Sequence, residues 1–166
     1  MTGLPSPSAQ PAKIEELYQS VILDHNRRPR NYREMEGADA RAEGKNPNCG
    51  DKVIVWLRLE GDTVADVSFR VPPGEGCAIS RASASIMTTA VKWKRVADVE
   101  ALFDRFINLL TVQRGAPGPG PTAPELGPLE VFSGVSRFPH RVKCATMAWH
   151  ALHTALREAI ASAPGA

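Results

Sequence analysis

The stretch KVIVWLRLEGDTVADVSFRV, Lys52 to Val71, decides the fold. Apolar and polar residues alternate along both halves: Val53, Val55, Leu57 and Leu59 share one face, and so do Ala65, Val67, Phe69 and Val71. Such period-two alternation marks a strand with one buried face, because successive side chains of a strand point to opposite sides. Gly61-Asp62 stands between the halves, so Lys52–Glu60 and Thr63–Val71 are predicted to form an antiparallel hairpin. A third strand is expected near Ala38–Ala42.

Hairpin strands return to the same end, so the residues before the first strand meet those after the second. Before it comes Asn46-Pro-Asn-Cys49-Gly-Asp51, and after it Gly74-Glu-Gly-Cys77-Ala-Ile-Ser80. Cys49 and Cys77 are therefore expected to be neighbours, although 28 positions separate them (77 − 49). Pro47 and Gly50 make a turn on which Cys49 and Asp51 converge on one ion. The third cysteine lies in Phe138-Pro-His-Arg141-Val-Lys143-Cys144-Ala. Three is an odd number, and outside secretory compartments it argues against a disulfide framework and for metal or thiol chemistry. Cys77 and Cys144 are each placed at a helix start, where the backbone dipole favours an anionic sulfur, and Arg141 and Lys143 stand beside the latter.

Three thiolates and a carboxylate suit tetrahedral zinc, and equally an iron–sulfur cluster with four protein ligands. With a divalent zinc the charges sum to −2, so cations are needed nearby, and Arg141 and Lys143 are the candidates. A lone cysteine is more often buried apolar filling than ligand. Three cysteines in turn or helix-start settings, two beside glycine and one beside cations, reverse that preference. His150 and His153 lack a third ligand and read as solvated helix surface, and His25 and His140 as polar surface or caps. Ser80, Ser83 and Ser85, with no His and acid paired to them, do not make a hydrolase site.

Further out, Ile14–His25 carries Ile14, Leu17, Tyr18, Val21 and Ile22 at helical spacing. From Cys77 the pattern is helical through Val91, and again from Val99 to Leu110, both helices packing on the sheet. Leu129–Val135 reads as a short helix and Ala145–Ile160 as a long one, with Ala148, Trp149, Leu152, Leu156 and Ile160 inward. Gln113–Pro128 holds five prolines and four glycines and is expected to be an exposed excursion without helix or strand. The sum is an α+β fold, a small antiparallel sheet packed against several helices. A mass of 17.9 kDa suits one domain, 14–162, between a flexible extension 1–13 and a flexible tail 163–166. No segment approaches the ~18 apolar residues of a membrane helix, and no secretory signal opens the chain, so a soluble cytoplasmic protein is expected. A net charge of +2, with one dense basic cluster at Arg27-Arg-Pro-Arg30, argues against a nucleic-acid partner.

The chain resembles the SufU-type iron–sulfur cluster assembly proteins, relatives of the IscU scaffolds and of the NifU N-terminal domain. The resemblance runs through Leu17-Tyr, Val21-Ile-Leu-Asp24-His25 and Pro29-Arg-Asn31, then Asn46 to Asp51 and Gly76-Cys77-Ala-Ile-Ser80 with Ala82-Ser-Ala-Ser85. It ends with Phe132-Ser-Gly134-Val135, Phe138-Pro139 and Arg141 to Ala145. It implies a metal held by Cys49, Asp51, Cys77 and Cys144 at one end of an IscU/SufU-like fold. IscU-type chains have histidine directly before the third cysteine, where Lys143 stands here, and lack an insertion such as Gln113–Pro128. Both features lie on the SufU side.

That side implies Zn2+ and a sulfurtransferase role, in which Cys49 accepts persulfide sulfur from a pyridoxal-phosphate cysteine desulfurase, SufS, for a downstream SUF scaffold. Cys49 is then the ligand displaced from zinc, a desulfurase histidine takes its place, and Arg141 docks the partner. The alternative it leaves open is a scaffold that builds a [2Fe–2S] cluster, or holds iron, on the same four residues. Residue chemistry alone does not choose Cys49 over Cys144 as the sulfur acceptor, although a turn is more mobile than a helix start.

Overall fold

The computed structural model describes residues 11–46, 50–111 and 124–162. The expectations for residues 1–10, for Cys49, for most of the Pro/Gly-rich segment and for the tail 163–166 lie outside the described residues. The hairpin forms as β2 (Asp51–Glu60) and β3 (Thr63–Arg70), with Val55 opposite Phe69 and Leu57 opposite Val67. A bulge between Arg58 and Leu59 shifts the register, so Leu59 faces Val64. Val64 thereby joins the core cluster in place of Ala65, which is buried elsewhere; an extra residue in one strand inverts the alternation beyond it.

The third strand, β1, is Ala40–Asn46, and the sheet order is β1-β2-β3. It starts and ends later than Ala38–Ala42. Its inward positions are the small residues Ala40, Ala42 and Gly44, which leave a faint apolar signal. One face of the sheet carries the helices. The last and longest, α4 (Pro139–Ser162), lies across β1 and β2, while α2 (Ala78–Val91) packs on β3 and α1 (Pro11–Arg27) on α2. The α3 helix (Val96–Thr111) rests on α4 and on a 3-10 helix, Gly127–Arg137, and not on the sheet as expected. Its buried stripe, Val99, Leu102, Phe106 and Leu110, meets other helices: Phe106 stacks on Trp149 at 4.9 Å and meets Phe132 edge-on at 5.9 Å.

Other expectations are corrected by packing. The Pro/Gly-rich segment was expected to be exposed and irregular to Pro128, yet Leu126 is 3% exposed and Gly127-Pro128 opens the 3-10 helix. Proline is tolerated there because the first turn has no carbonyl partner for its missing N–H. Ile160 is expected inward but is 41% exposed, because the buried stripe of α4 runs through Leu152, Ala155, Leu156 and Ala159 and leaves Ile160 one step off that face. Trp149 and Trp56 are buried, whereas Trp93 stands 65% exposed between α2 and α3. No helix among the described residues is long and apolar enough to cross a membrane.

Candidate metal centre

The hairpin geometry brings the start of β2 against the loop that follows β3. The Lys52 N–H donates to the Glu75 carbonyl at 2.6 Å, which ties that loop to the first strand residues. Asp51 opens β2, opposite Asn46 at the end of β1. The connection is closed by Gly50 N–H donating to the Asn46 carbonyl at 2.8 Å, with Gly50 at φ +76°, a left-handed backbone conformation that glycine adopts without strain. Cys49 belongs to this connection and lies outside the described residues.

Cys77 caps α2. The Ser80 N–H donates to its sulfur at 3.4 Å, and the Cys77 N–H donates to Ser80 Oγ at 3.0 Å, a reciprocal capping box with sulfur in the usual place of a hydroxyl. The Cys77 sulfur is thus aimed by the helix start itself. Cys144 is placed differently from the expectation. Its helix begins at Pro139, so it lies in the second turn, 8% exposed, where the terminal dipole has faded. The residues from Pro139 carry no regular apolar stripe of their own, which is why periodicity alone started the helix too late.

Three elements thus deliver three donors. A carboxylate oxygen of Asp51 and the sulfurs of Cys77 and Cys144 all lie within 4.8 Å of one another, with Asp51 and Cys144 buried and Cys77 half-buried. Cys144 Sγ stands 3.8 Å from Asp51 Oδ2. Zinc–sulfur bonds of about 2.3 Å and zinc–oxygen bonds of about 2.0–2.2 Å, spread tetrahedrally, put two donor atoms about 3.6–3.8 Å apart. The donor set and its spacing fit a tetrahedral metal with one corner left for a fourth ligand. Asn46, 2% exposed, borders the same group and donates from Nδ2 to Cys144 Sγ at 3.5 Å. Nothing in the local pattern of Asn46-Pro-Asn-Cys49-Gly-Asp51 singles out Asn46.

The remaining candidates sort themselves by burial. Arg141 is exposed, with its guanidinium over the Phe138 ring at 5.6 Å. Lys143 is exposed and, with Lys45, Asn46 and His150, lines a cavity of about 160 Å³ beside the centre. Arg81 lies one turn into α2, behind Cys77. The Arg81 N–H donates to the Cys77 carbonyl at 3.1 Å, and its buried Nε has no hydrogen-bond partner among the described residues.

His140 is exposed, and only its carbonyl meets Cys144. His150 is exposed and His153 half-buried, in keeping with helix surface, and both rings also pack on Phe103, edge-on at 5.5 Å and stacked at 4.8 Å. Partial desolvation of the ring, then the neighbouring His153, holds the His150 imidazole below the usual histidine range. His25 is no surface cap: its Nδ1 lies 2.7 Å from Ser85 Oγ, which also accepts the Arg30 N–H at 2.8 Å. Ser85 thus has a histidine partner after all, but its side chain is fully buried and serves to lock α1 onto α2.

Residues 17–145 match the family model of the NifU-like N-terminal domain. The chain is 38% identical, over 85% of its length and 90% of the relative's, to the zinc-dependent sulfurtransferase SufU of Bacillus subtilis. It is 37% identical, over 88% of its length and 86% of the relative's, to the iron–sulfur cluster assembly scaffold protein IscU of Streptococcus pyogenes. Among solved structures, one described as an iron–sulfur cluster assembly scaffold protein for the SUF system, from Fervidobacterium islandicum, superposes with a TM-score of 0.73 at 30% identity. That match covers 86% of this chain and 98% of the other.

Proposed function

This chain belongs to the NifU-like N-terminal domain family, and we propose that it serves iron–sulfur cluster assembly as a zinc-dependent sulfur acceptor. The observation that carries the reading is the convergence of Asp51, Cys77 and Cys144 within 4.8 Å, in a chain whose sequence sets Cys49 two residues before Asp51. Cys49, Asp51, Cys77 and Cys144 would hold the metal. Bound zinc would keep the sulfurs deprotonated and subdue their nucleophilicity.

In the proposed reaction the Cys49 thiolate attacks the outer sulfur of a persulfide carried by a pyridoxal-phosphate cysteine desulfurase of the SufS kind. A new sulfur–sulfur bond forms on Cys49 as the donor's breaks. The donor cysteine leaves as thiolate, and no net oxidation occurs. Asp51, Cys77 and Cys144 keep the centre assembled meanwhile: Asp51 is fixed by the sheet register, Cys77 by its capping box and Cys144 by burial in α4. Arg141, exposed on the first turn of α4, is the residue we assign to partner docking.

Two measurements test this reading. Protein purified without added metal should contain one zinc per chain, and it should stimulate a SufS-type desulfurase, with Cys49→Ala abolishing the stimulation. Full stimulation by Cys49→Ala would defeat it. A second reading, a scaffold for a [2Fe–2S] cluster on the same residues, is favoured by the scaffold names of the Streptococcus relative and of a Thermotoga maritima IscU at 30% identity. Iron with stoichiometric sulfide, in place of zinc, would select it.

A further inference from the structure

We infer that Asn46 is a positioning residue of the metal centre, whose side-chain amide fixes Cys144 as the permanent sulfur ligand while its backbone anchors the connection that carries Cys49. The inference rests on the reading of this centre as a metal site. Three observations lead to it. Asn46 is 2% exposed, so its amide has been withdrawn from water, and its Nδ2 lies 3.5 Å from Cys144 Sγ, a distance suited to a sulfur acceptor. A metal-bound sulfur has no proton to give and accepts only donors, so the amide must turn its NH2 and not its oxygen toward the sulfur. A hydrogen bond to an ionised acceptor is roughly twice as strong as a neutral one, and burial strengthens it further.

The second observation is how firmly the amide is held. Asn46 pairs with Asp51 across the sheet, and its carbonyl receives the Gly50 N–H at 2.8 Å. Two residues earlier, Gly44 lies so close to α4 that an added Cβ would stand 2.6 Å from the Met147 carbonyl oxygen. Only glycine allows β1 to approach the helix this closely, and that approach sets the Asn46 amide against Cys144, one turn back on α4. A third fact is that both contacts come from one residue. One residue donates its side chain to the Cys144 sulfur and closes, through its backbone, the connection 46–51. Withdrawing electron density from the Cys144 sulfur lowers its nucleophilicity, so attack on an incoming persulfide falls to Cys49.

The test needs no desulfurase. In 15N-labelled wild-type protein loaded with cadmium-113, the Asn46 Nδ2 protons should show scalar coupling to the metal through the Cys144 sulfur. In the cobalt(II)-loaded protein, Asn46→Ala should move the sulfur-to-metal charge-transfer band to lower energy and weaken metal affinity about 10-fold or more, as loss of an outer-shell partner does. Thr146→Val removes a hydroxyl from the same wall, one that donates to the Val142 carbonyl and not to sulfur, and should leave the band unmoved. Metal uptake without cadmium coupling, or a band unmoved in Asn46→Ala, overturns the inference alone. If Asn46→Ala does not fold, the cadmium measurement on the wild type decides. Failure of the wild type to take up either metal overturns both the inference and the reading of the centre.

Discussion

At the scale of single residues, the same kind of group acts differently according to what surrounds it. Cys77 is set by the first turn of a helix and Cys144 by burial inside one, so two chemically identical thiols of the candidate centre are held by unrelated means. Asp51→Ala, Cys77→Ser and Cys144→Ser should each reduce bound zinc well below one per chain, as read by metal analysis, because each removes a corner donor. His25 supplies a pH test. Burial first, then the Arg30 guanidinium, holds its imidazole below the usual histidine range, with Asp24 opposing; Arg28 also lies in this cluster. A histidine whose folded pKa is depressed contributes stability that is complete above its unfolded value of about 6.5 and is lost as pH falls toward the folded value. Unfolding free energy, followed by denaturant midpoint, should therefore fall from pH 7 toward pH 5. In His25→Gln that slope should flatten. Ser85→Ala, which deprives both His25 Nδ1 and the Arg30 N–H of their partner, should cost about 1–3 kcal/mol at pH 7.

At the scale of elements, two contacts decide where the centre sits: β1 against α4, and the loop after β3 against β2. The first depends on Gly44. An Ala there brings a methyl to 2.6 Å from a backbone carbonyl of α4, which cannot swing aside as a side chain can. Gly44→Ala should cost about 1–3 kcal/mol in urea denaturation and reduce zinc occupancy together, since Asn46 and Cys144 are separated by the same shift. Between α3 and α4 the coupling is aromatic. Phe106→Ala should cost about 3–5 kcal/mol by removing a fully buried ring from Trp149 and Phe132, while leaving the donor residues in place, so zinc content should hold.

At the scale of the molecule, the centre lies at one edge of a core that does not need it. Val53, Val55, Leu57, Phe69, Phe106 and Trp149 are buried without reference to the donors. In the zinc-loaded protein, chelation should therefore lower the melting temperature while keeping the helical circular dichroism. A ligand at 100 times its Kd stabilises by about 2.7 kcal/mol, equivalent to about 5–10 °C for a chain of this length. Outright unfolding on chelation would make the metal a structural staple instead. The alternation of Lys52 to Val71 determined the hairpin, and the hairpin determined that Asp51 and the Cys77 loop share one end, because strand periodicity and return geometry are properties of the local chain. The bulge that exchanges Ala65 for Val64, the start of α4 at Pro139 and the inward role of Asn46 were decided only in three dimensions. Asn46 and Cys144 meet across 98 positions of sequence. No local pattern encodes such a contact: it exists because Gly44 lets a strand and a helix approach, and only their packing selects which polar atom faces the sulfur.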